Sequence, residues 1–332
     1  MLVGSTLLSF TNAFHSRRFS FEQLLAKVAE LGIGPGLEVI GFQSIRGFPA
    51  VSDEFADRFR MLVDKYKLTP TSLAINADTM IRRGYKMNDE ETANYLEPQI
   101  RAAARLGFPV VRSQFAASPE AIRRLVPLIE KLEVKLGPEV HAPLGPMSPP
   151  VLAYREMYAK LNSPSLGFVP DFGTSARSIP AGYIDILRQR GLDQATLDVA
   201  LEIWRGPGDP WWKREEFNRR ATELRVEPTV ASSLSVMFSI LSPNPPEAWL
   251  EIMPQVIHIH GKFYDFDAEG NETSIPYDKL LPVFVRGGYK GSMSSEWEGH
   301  IWSDDDGFTY VQQHHRLCRR ILAGLEQTNV AA

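Results

Sequence analysis

The scarcities of this chain narrow its class before any motif is read. Its 332 residues contain one cysteine, Cys318, so no internal disulfide is available and a reducing compartment is the natural setting. In LCRRIL that cysteine reads as a buried helix residue rather than a reactive thiol. No stretch reaches the roughly 18 apolar residues of a membrane span, and the apolar start, MLVGSTLLSFTNAF, has neither a basic leader nor a small-residue cleavage site. A cytoplasmic protein with no membrane role is expected. Lysine and arginine total 36 against 40 acidic residues and form no basic block, which removes the electrostatic footprint of a nucleic-acid binder. With no linker, low-complexity segment or internal repeat, residues 1–332 are expected to form a single domain.

A hydrophobic content of 44% supplies a substantial core, and its distribution is rhythmic. Eight β-like runs recur: MLVGSTLLSF at 1–10, GLEVIGF at 36–42, LTPTSLAIN at 68–76, FPVVRSQF at 108–115, PEVHAP at 138–143, LGFVPDF at 166–172, QVIHIHGKF at 255–263 and KGSMSSEWE at 290–298. Segments of helical period lie between them, among them SFEQLLAKVAELG and NYLEPQIRAAARLG, and several end in the glycine expected just past a helix C-terminus. Strands this apolar have no wet face. Eight strand-then-helix units of this kind predict an α/β fold, a closed parallel (β/α)₈ TIM barrel.

One interval breaks the rhythm. The sixth run ends at Phe172 and the seventh begins at Gln255, far more chain than the about 25 to 30 residues of a plain helical crossover. An inserted helical segment over about 190–245 is expected. It includes RGPGDPWWKREEF at 205–217, whose tryptophan pair, Trp211 and Trp212, reads either as a pin holding the inserted helix to the barrel or as a lid or subunit contact.

In such a barrel, side chains at the C-terminal ends of the strands line the active site. Strand five offers Glu139 and His141, two apart and therefore on one face of the strand. Strand six offers Asp171, strand seven His258 and His260, and strand eight Glu296 with Glu298 two further on. Each alone has a plain structural explanation: a satisfied core histidine, a helix cap at Asp171, a salt-bridge partner at Glu296. Together, four consecutive strands delivering ionisable groups to one rim call for a cation, because buried carboxylates are costly without one. Glu139, Asp171, His260 and Glu296 are the expected metal ligands. Three carboxylates and one imidazole suit manganese, the expected ion, or magnesium better than structural zinc, while zinc, cobalt and iron remain alternatives.

Further residues are candidates for substrate contact. Lys262, two past His260, either reaches a substrate oxygen or pairs with Asp265. Arg112 and Gln114 alternate on strand four, and Glu38 points inward on strand two as a substrate contact or a partner of a ligand. His258 lies one layer deeper than His260. His314 and His315, in VQQHHRLCRR, read as surface residues of a polar helix.

The order Glu on strand five, Asp on six, HxH on seven and Glu on eight, with GYKGSMSSEWEG at the end, resembles the xylose-isomerase-like barrels of sugar isomerases and epimerases. The resemblance implies that His260 and Glu296 are the ligands from HxH and ExE. Two departures point to a narrower group: EVHAP sets His141 beside the strand-five glutamate, and Thr174 stands where many family epimerases carry a second histidine. With the long interval after strand six, the pattern is similar to the larger, α subunit of bacterial C-glycoside deglycosidases. That resemblance implies cleavage of the carbon–carbon bond between a 3-keto sugar and an aromatic aglycone, a smaller β subunit and a hetero-oligomer.

The chemistry implied is specific. A C-glycoside has no leaving oxygen, so paired-carboxylate glycosidase chemistry does not apply. A ketone at C3 makes the C2 proton acidic, and a cation on the sugar oxygens stabilises the enolate. His141 is the expected base, with Glu139 and Glu296 as catalytic ligands. A sugar isomerase or epimerase using the same enolate is the main alternative. A base-excision endonuclease is a third, weaker alternative, since it needs a three-metal cluster and more imidazoles than this acidic chain sets at its strand ends. A non-catalytic sugar-binding subunit would show an empty metal site.

Overall fold

The computed structural model describes residues 1–330. Its eight parallel strands are β1 (Leu2–Thr6), β2 (Gly36–Ile40), β3 (Thr69–Ala74), β4 (Val110–Ser113), β5 (Lys135–Val140), β6 (Val169–Pro170), β7 (Ile259–Phe263) and β8 (Ser292–Trp297). They run in the order β6-β5-β4-β3-β2-β1-β8-β7. The remaining gap between β6 and β7 is closed by single bridges, Phe168 to Val256 and Asp171 to His260, with Phe168 N–H donating to the Gln255 carbonyl. A closed parallel barrel results, as the eight apolar runs predict.

The strands form here because both of their faces are covered. All of β2 is buried, and every residue of β7 is buried, so neither needs polar alternation. Most connections are helical: Phe21–Glu30, Asp53–Tyr66, Asp89–Arg105, Pro119–Lys131, Pro149–Leu161 and Tyr277–Arg286, with Phe308–Val330 last. Local chemistry sets their ends. The Ser20 and Asn88 side chains each accept from the N3 backbone N–H in capping boxes, while Gly32 and Gly107 take the positive φ that follows a helix terminus. No helix among the described residues is long and apolar enough to cross a membrane.

Two strand boundaries correct the sequence reading. The fifth strand is Lys135–Val140 rather than 138–143, and the chain turns sharply after it, His141 N–H donating to the Glu139 carbonyl. The sixth strand keeps only Val169–Pro170 in regular pairing. Between β6 and β7 stand Ala181–Gln189, Gln194–Arg205, Pro210–Glu223 and Pro228–Ile240, then a 3₁₀ segment, Pro246–Gln255. Trp211 and Trp212 do not pin this stretch: they are 59% and 52% exposed. Trp204, one helix earlier, is the buried tryptophan of the stretch, its Nε1–H donated to the Leu241 carbonyl at 3.1 Å within the same segment.

The last helix holds another correction. His314 and His315 are fully buried, not on the surface. They share a stripe with Val311 and Cys318, all four buried and spaced i, i+3, i+4, i+7, facing the barrel. His314 stacks on Phe263 at 4.1 Å and its Nδ1 lies 2.7 Å from Ser295 Oγ, while His315 Nε2–H donates to the Gly4 carbonyl at 3.1 Å. Cys318 is buried beside them, as read from the sequence.

Candidate active site at the barrel mouth

Strand period and register bring distant residues together. Along the chain entering β7, His258, His260 and Lys262 point inward at successive levels, and the pairing of β7 with β8 sets His260 beside Ser294 and Lys262 beside Glu296. Glu38 on β2, Arg112 on β4 and Glu139 on β5 face the same interior, and all are buried. His260 is the hub. Its Nδ1 is 2.5 Å from Glu139 Oε1 and 3.3 Å from Glu296 Oε1, and its Nε2 is 3.0 Å from Glu38 Oε2.

The level below is closed off. His258 engages Ser292 Oγ at 2.8 Å, Ser294 Oγ at 3.0 Å and Glu38 Oε2 at 2.9 Å. Neither His258 nor Glu38 lines the cavity that opens at the mouth. The level above is an ion-pair network. Lys262 Nζ, fully buried, stands 2.7 Å from Asp171 Oδ2, 3.1 Å from Glu298 Oε1 and 2.8 Å from His141 Nε2. The pairing of Lys262 with Asp265 considered from sequence is overturned, because Asp265 instead accepts the Gly182 N–H at 2.9 Å. Asp171 Oδ1 accepts the Gly173 N–H at 2.6 Å.

The tautomer of His141 follows from these contacts. Lys262 has only donors, so His141 Nε2 accepts, and Nδ1–H donates to the Ala142 carbonyl at 2.6 Å. His141 thus reaches the site although it lies past the end of β5, carried by the tight turn rather than by strand alternation. Arg112 Nη1 stands 3.6 Å from Glu139 Oε2. Gln114 is exposed at the cavity wall, its Oε1 accepting the Ala77 N–H at 3.3 Å.

Burial and charge compete throughout. Burial alone would lower the His260 pKa, yet Glu296, Glu38 and Glu139 drive it well above the ordinary imidazole value. For Glu139 burial is likewise outweighed, by Arg112 and His260, which hold the carboxyl well below its usual range. Lys262 is held as an ammonium by Asp171 and Glu298 against its own burial. At Asp171 burial wins, raising the carboxyl to about 6 despite Lys262 and His141 beside it.

This donor set fits a divalent cation. Among the described residues two groups offer atoms within 4.8 Å of one another: Glu139, His260 and Glu296, and Glu38, His258 and His260. The first opens on the cavity, since Glu139 and Glu296 line it. There His260 Nδ1 stands between the Glu139 and Glu296 carboxylates while Nε2 is 3.0 Å from Glu38 Oε2, the arrangement in which a metal-bound histidine gives its second nitrogen to a carboxylate. Glu296 Oε2 is buried without a hydrogen-bond partner, an acceptor left for another positive group. Asp171 stands outside both groups, paired with Lys262.

Sequence reading gave Glu298 and Tyr264 no role, yet both belong to the network: Tyr264 O–H donates to Glu298 Oε2 at 3.1 Å, and Glu298 lines the cavity. The alternation of Glu296 and Glu298 in SEWE carried the signal for Glu298. Nothing local marks Tyr264, which the contacts of β7 alone reveal.

A closed parallel barrel with carboxylates and imidazole gathered at its C-terminal mouth is a (β/α)₈ TIM barrel with its polar site where such barrels hold their active sites. Solved structures agree on the fold. An L-ribulose 3-epimerase matches with a TM-score of 0.58 at 12% identity, covering 100% of this chain and 98% of that one. A xylose isomerase domain protein from Planctomyces limnophilus matches with a TM-score of 0.51 at 14% identity, covering 90% and 92%. No family model matches the chain. Curated relatives are much nearer in sequence. A C-glycoside deglycosidase alpha subunit of Arthrobacter globiformis is 40% identical over 96% of this chain and 90% of its own. A 3'-dehydrocarminate deglycosidase alpha subunit of a Microbacterium species is 38% identical over 98% and 96%. The chain belongs to the family of C-glycoside deglycosidase alpha subunits.

Proposed function

We propose that this chain is the alpha subunit of a cytoplasmic two-subunit lyase that cleaves the carbon–carbon glycosidic bond of 3-oxo-C-glycosides carrying an aromatic aglycone. The observation that carries this reading is its 40% identity to a C-glycoside deglycosidase alpha subunit over nearly the full length of both chains. The site supplies suitable machinery. Glu139, His260 and Glu296 would hold a divalent cation, with Asp171 as the fourth expected donor, and manganese suits so oxygen-rich a set. When bound, the cation would act as a Lewis acid toward the oxygens of the keto sugar.

His141 is the base in this reading. Its Nε2 stands 2.8 Å from Lys262 Nζ and 3.6 Å from Asp171 Oδ2, and the residue lines the cavity in which a substrate proton would be met. It takes the C2 proton; the electron pair forms the C1–C2 double bond as the C1–aryl bond breaks, and one proton arrives at the aryl carbon. The proton count closes if His141 delivers that proton. Arg112 and Gln114, on the cavity wall, would orient sugar oxygens, Lys262 would act through Asp171, Glu298 and His141, which occupy its three donors, and Glu38 and His258 would hold His260 from below.

The likeness of fold to epimerases supports a second reading, in which the same proton returns to the sugar and no bond to the aglycone breaks. One assay separates them. The chain, co-purified with its small partner and loaded with manganese, is given a 3-oxo-C-glucoside, and free aglycone is quantified beside sugar epimers. Release of aglycone is expected, falling about 10²–10⁴-fold in His141→Ala, the usual worth of a general base. Epimers without aglycone would overturn the cleavage reading.

A further inference from the structure

The cavity at the barrel mouth, about 500 Å³, has two unlike walls. One is made by Glu139, His141, Glu296 and Glu298, from the turns and strands of β5 and β8. The other is made by Leu8, Ile40, Phe42 and Phe115, from the ends of β1, β2 and β4. In the strand order β1, β2 and β4 belong to one arc, flanked by β8 and β5, and Gln43, Arg112 and Gln114 stand among the apolar residues of that arc. The volume lies in the range of pockets that take small organic ligands.

The apolar wall is a built surface. Phe115 is held edge-on by Tyr154 with ring centroids 5.0 Å apart, and Tyr154 O–H is itself anchored to the Ala117 carbonyl at 2.7 Å. Phe42 rides on the short helix Gly41–Ser44, which Gln43 ties to Thr11 Oγ1 at 2.9 Å. Gly41 lies so close over the Phe48 ring that a Cβ there would stand 2.5 Å from it, which fixes the base of that helix. On this fixed base the Phe42 side chain is left 54% exposed beside the charged wall. A singly exposed apolar side chain is ordinary, but Phe42 is exposed at a cavity that Leu8, Ile40 and Phe115 also line, so a ligand in it would meet a group of apolar side chains.

We propose that Phe42, with Leu8, Ile40 and Phe115, forms the subsite that takes the planar aromatic aglycone, leaving the sugar to the charged wall. This rests on the deglycosidase reading, since it assigns the two halves of that substrate to two walls. A polyphenol offers an apolar face to the rings, and its hydroxyls remain at the edge. A sugar alone has no such face.

Equilibrium dialysis of the manganese-loaded complex against free chrysin, a planar dihydroxyflavone, reads the subsite without turnover. Wild type is expected to bind chrysin, Phe42→Ala to bind it about tenfold more weakly, and Phe42→Trp to restore it. Binding of 3-keto-glucose, which has no aglycone, is expected to be unchanged in both variants. Equal chrysin affinity in wild type and Phe42→Ala, or equal losses for chrysin and 3-keto-glucose, would overturn the subsite. The two readings fail separately. Chrysin binding lost in Phe42→Ala with no cleavage of any 3-oxo-C-glycoside by wild type would sink the cleavage reading and leave an aromatic-binding wall. Cleavage by a wild type that binds no chrysin would sink the wall alone.

Discussion

His260 presents its two ring nitrogens to different partners, Glu139 and Glu296 on one side and Glu38 on the other. A core histidine needs only satisfied nitrogens; three carboxylates around one buried ring go beyond that need and concentrate negative charge. His315 shows the opposite case. Burial lowers its pKa to about 4, its Nε2–H is donated to Gly4, and Nδ1 is buried with no partner, so a proton arriving there would be an uncompensated charge. The unfolded chain takes up that proton near the ordinary value of about 6.5, whereas the fold excludes it down to about 4. Stability from this residue is therefore complete above about 6.5 and falls by about 1.4 kcal/mol per pH unit below it. Chemical denaturation at pH 7 and pH 5 is expected to show about 2 kcal/mol less acid loss for His315→Gln than for wild type. Identical losses would assign the acid sensitivity elsewhere. The role of this residue was hidden by composition, since glutamine, histidine and arginine make VQQHHRLCRR look polar. The spacing of Val311, His314, His315 and Cys318 is nevertheless a buried stripe in plain view.

At the scale of elements, apolar runs located all eight strands because each is buried on both faces. Boundaries were less legible where backbone geometry, not hydrophobicity, decides. PEVHAP looks like a strand through His141, but pairing with β4 runs from Lys135 to Pro138 and the chain turns after Val140. The site tolerates the error because the turn still aims His141 at Lys262. In the stretch between β6 and β7, the tryptophan pair drew the eye while the buried Trp204 did the packing, and a sequence offers no direct sign of which ring is covered. Trp204→Ala is expected to cost about 3–5 kcal/mol, and Trp211→Ser to stay within about 0.5 kcal/mol. Equal costs in chemical denaturation would mean that the exposed pair is covered in solution.

At the scale of the whole molecule, the barrel brings Glu139, His260 and Glu296 together from three strands, as residue type and strand order suggest, while Asp171, expected with them, is paired with Lys262. Lys262 illustrates what they could not supply: its partners, Asp171, Glu298 and His141, come from three other strand ends, and only closure of the barrel selects them over nearby Asp265. The mouth that results gathers Glu139, His141, Glu296 and Glu298 with an apolar group, Leu8, Ile40, Phe42 and Phe115. The proposed chemistry depends on an ion held by Glu139, His260 and Glu296. Crystals grown with manganese, measured at the manganese absorption edge, test it most directly. The expected result is one anomalous peak within about 2.0–2.3 Å of donor atoms of Glu139, His260 and Glu296. Full manganese in solution with the peak at other residues, or no peak at these three, would contradict it.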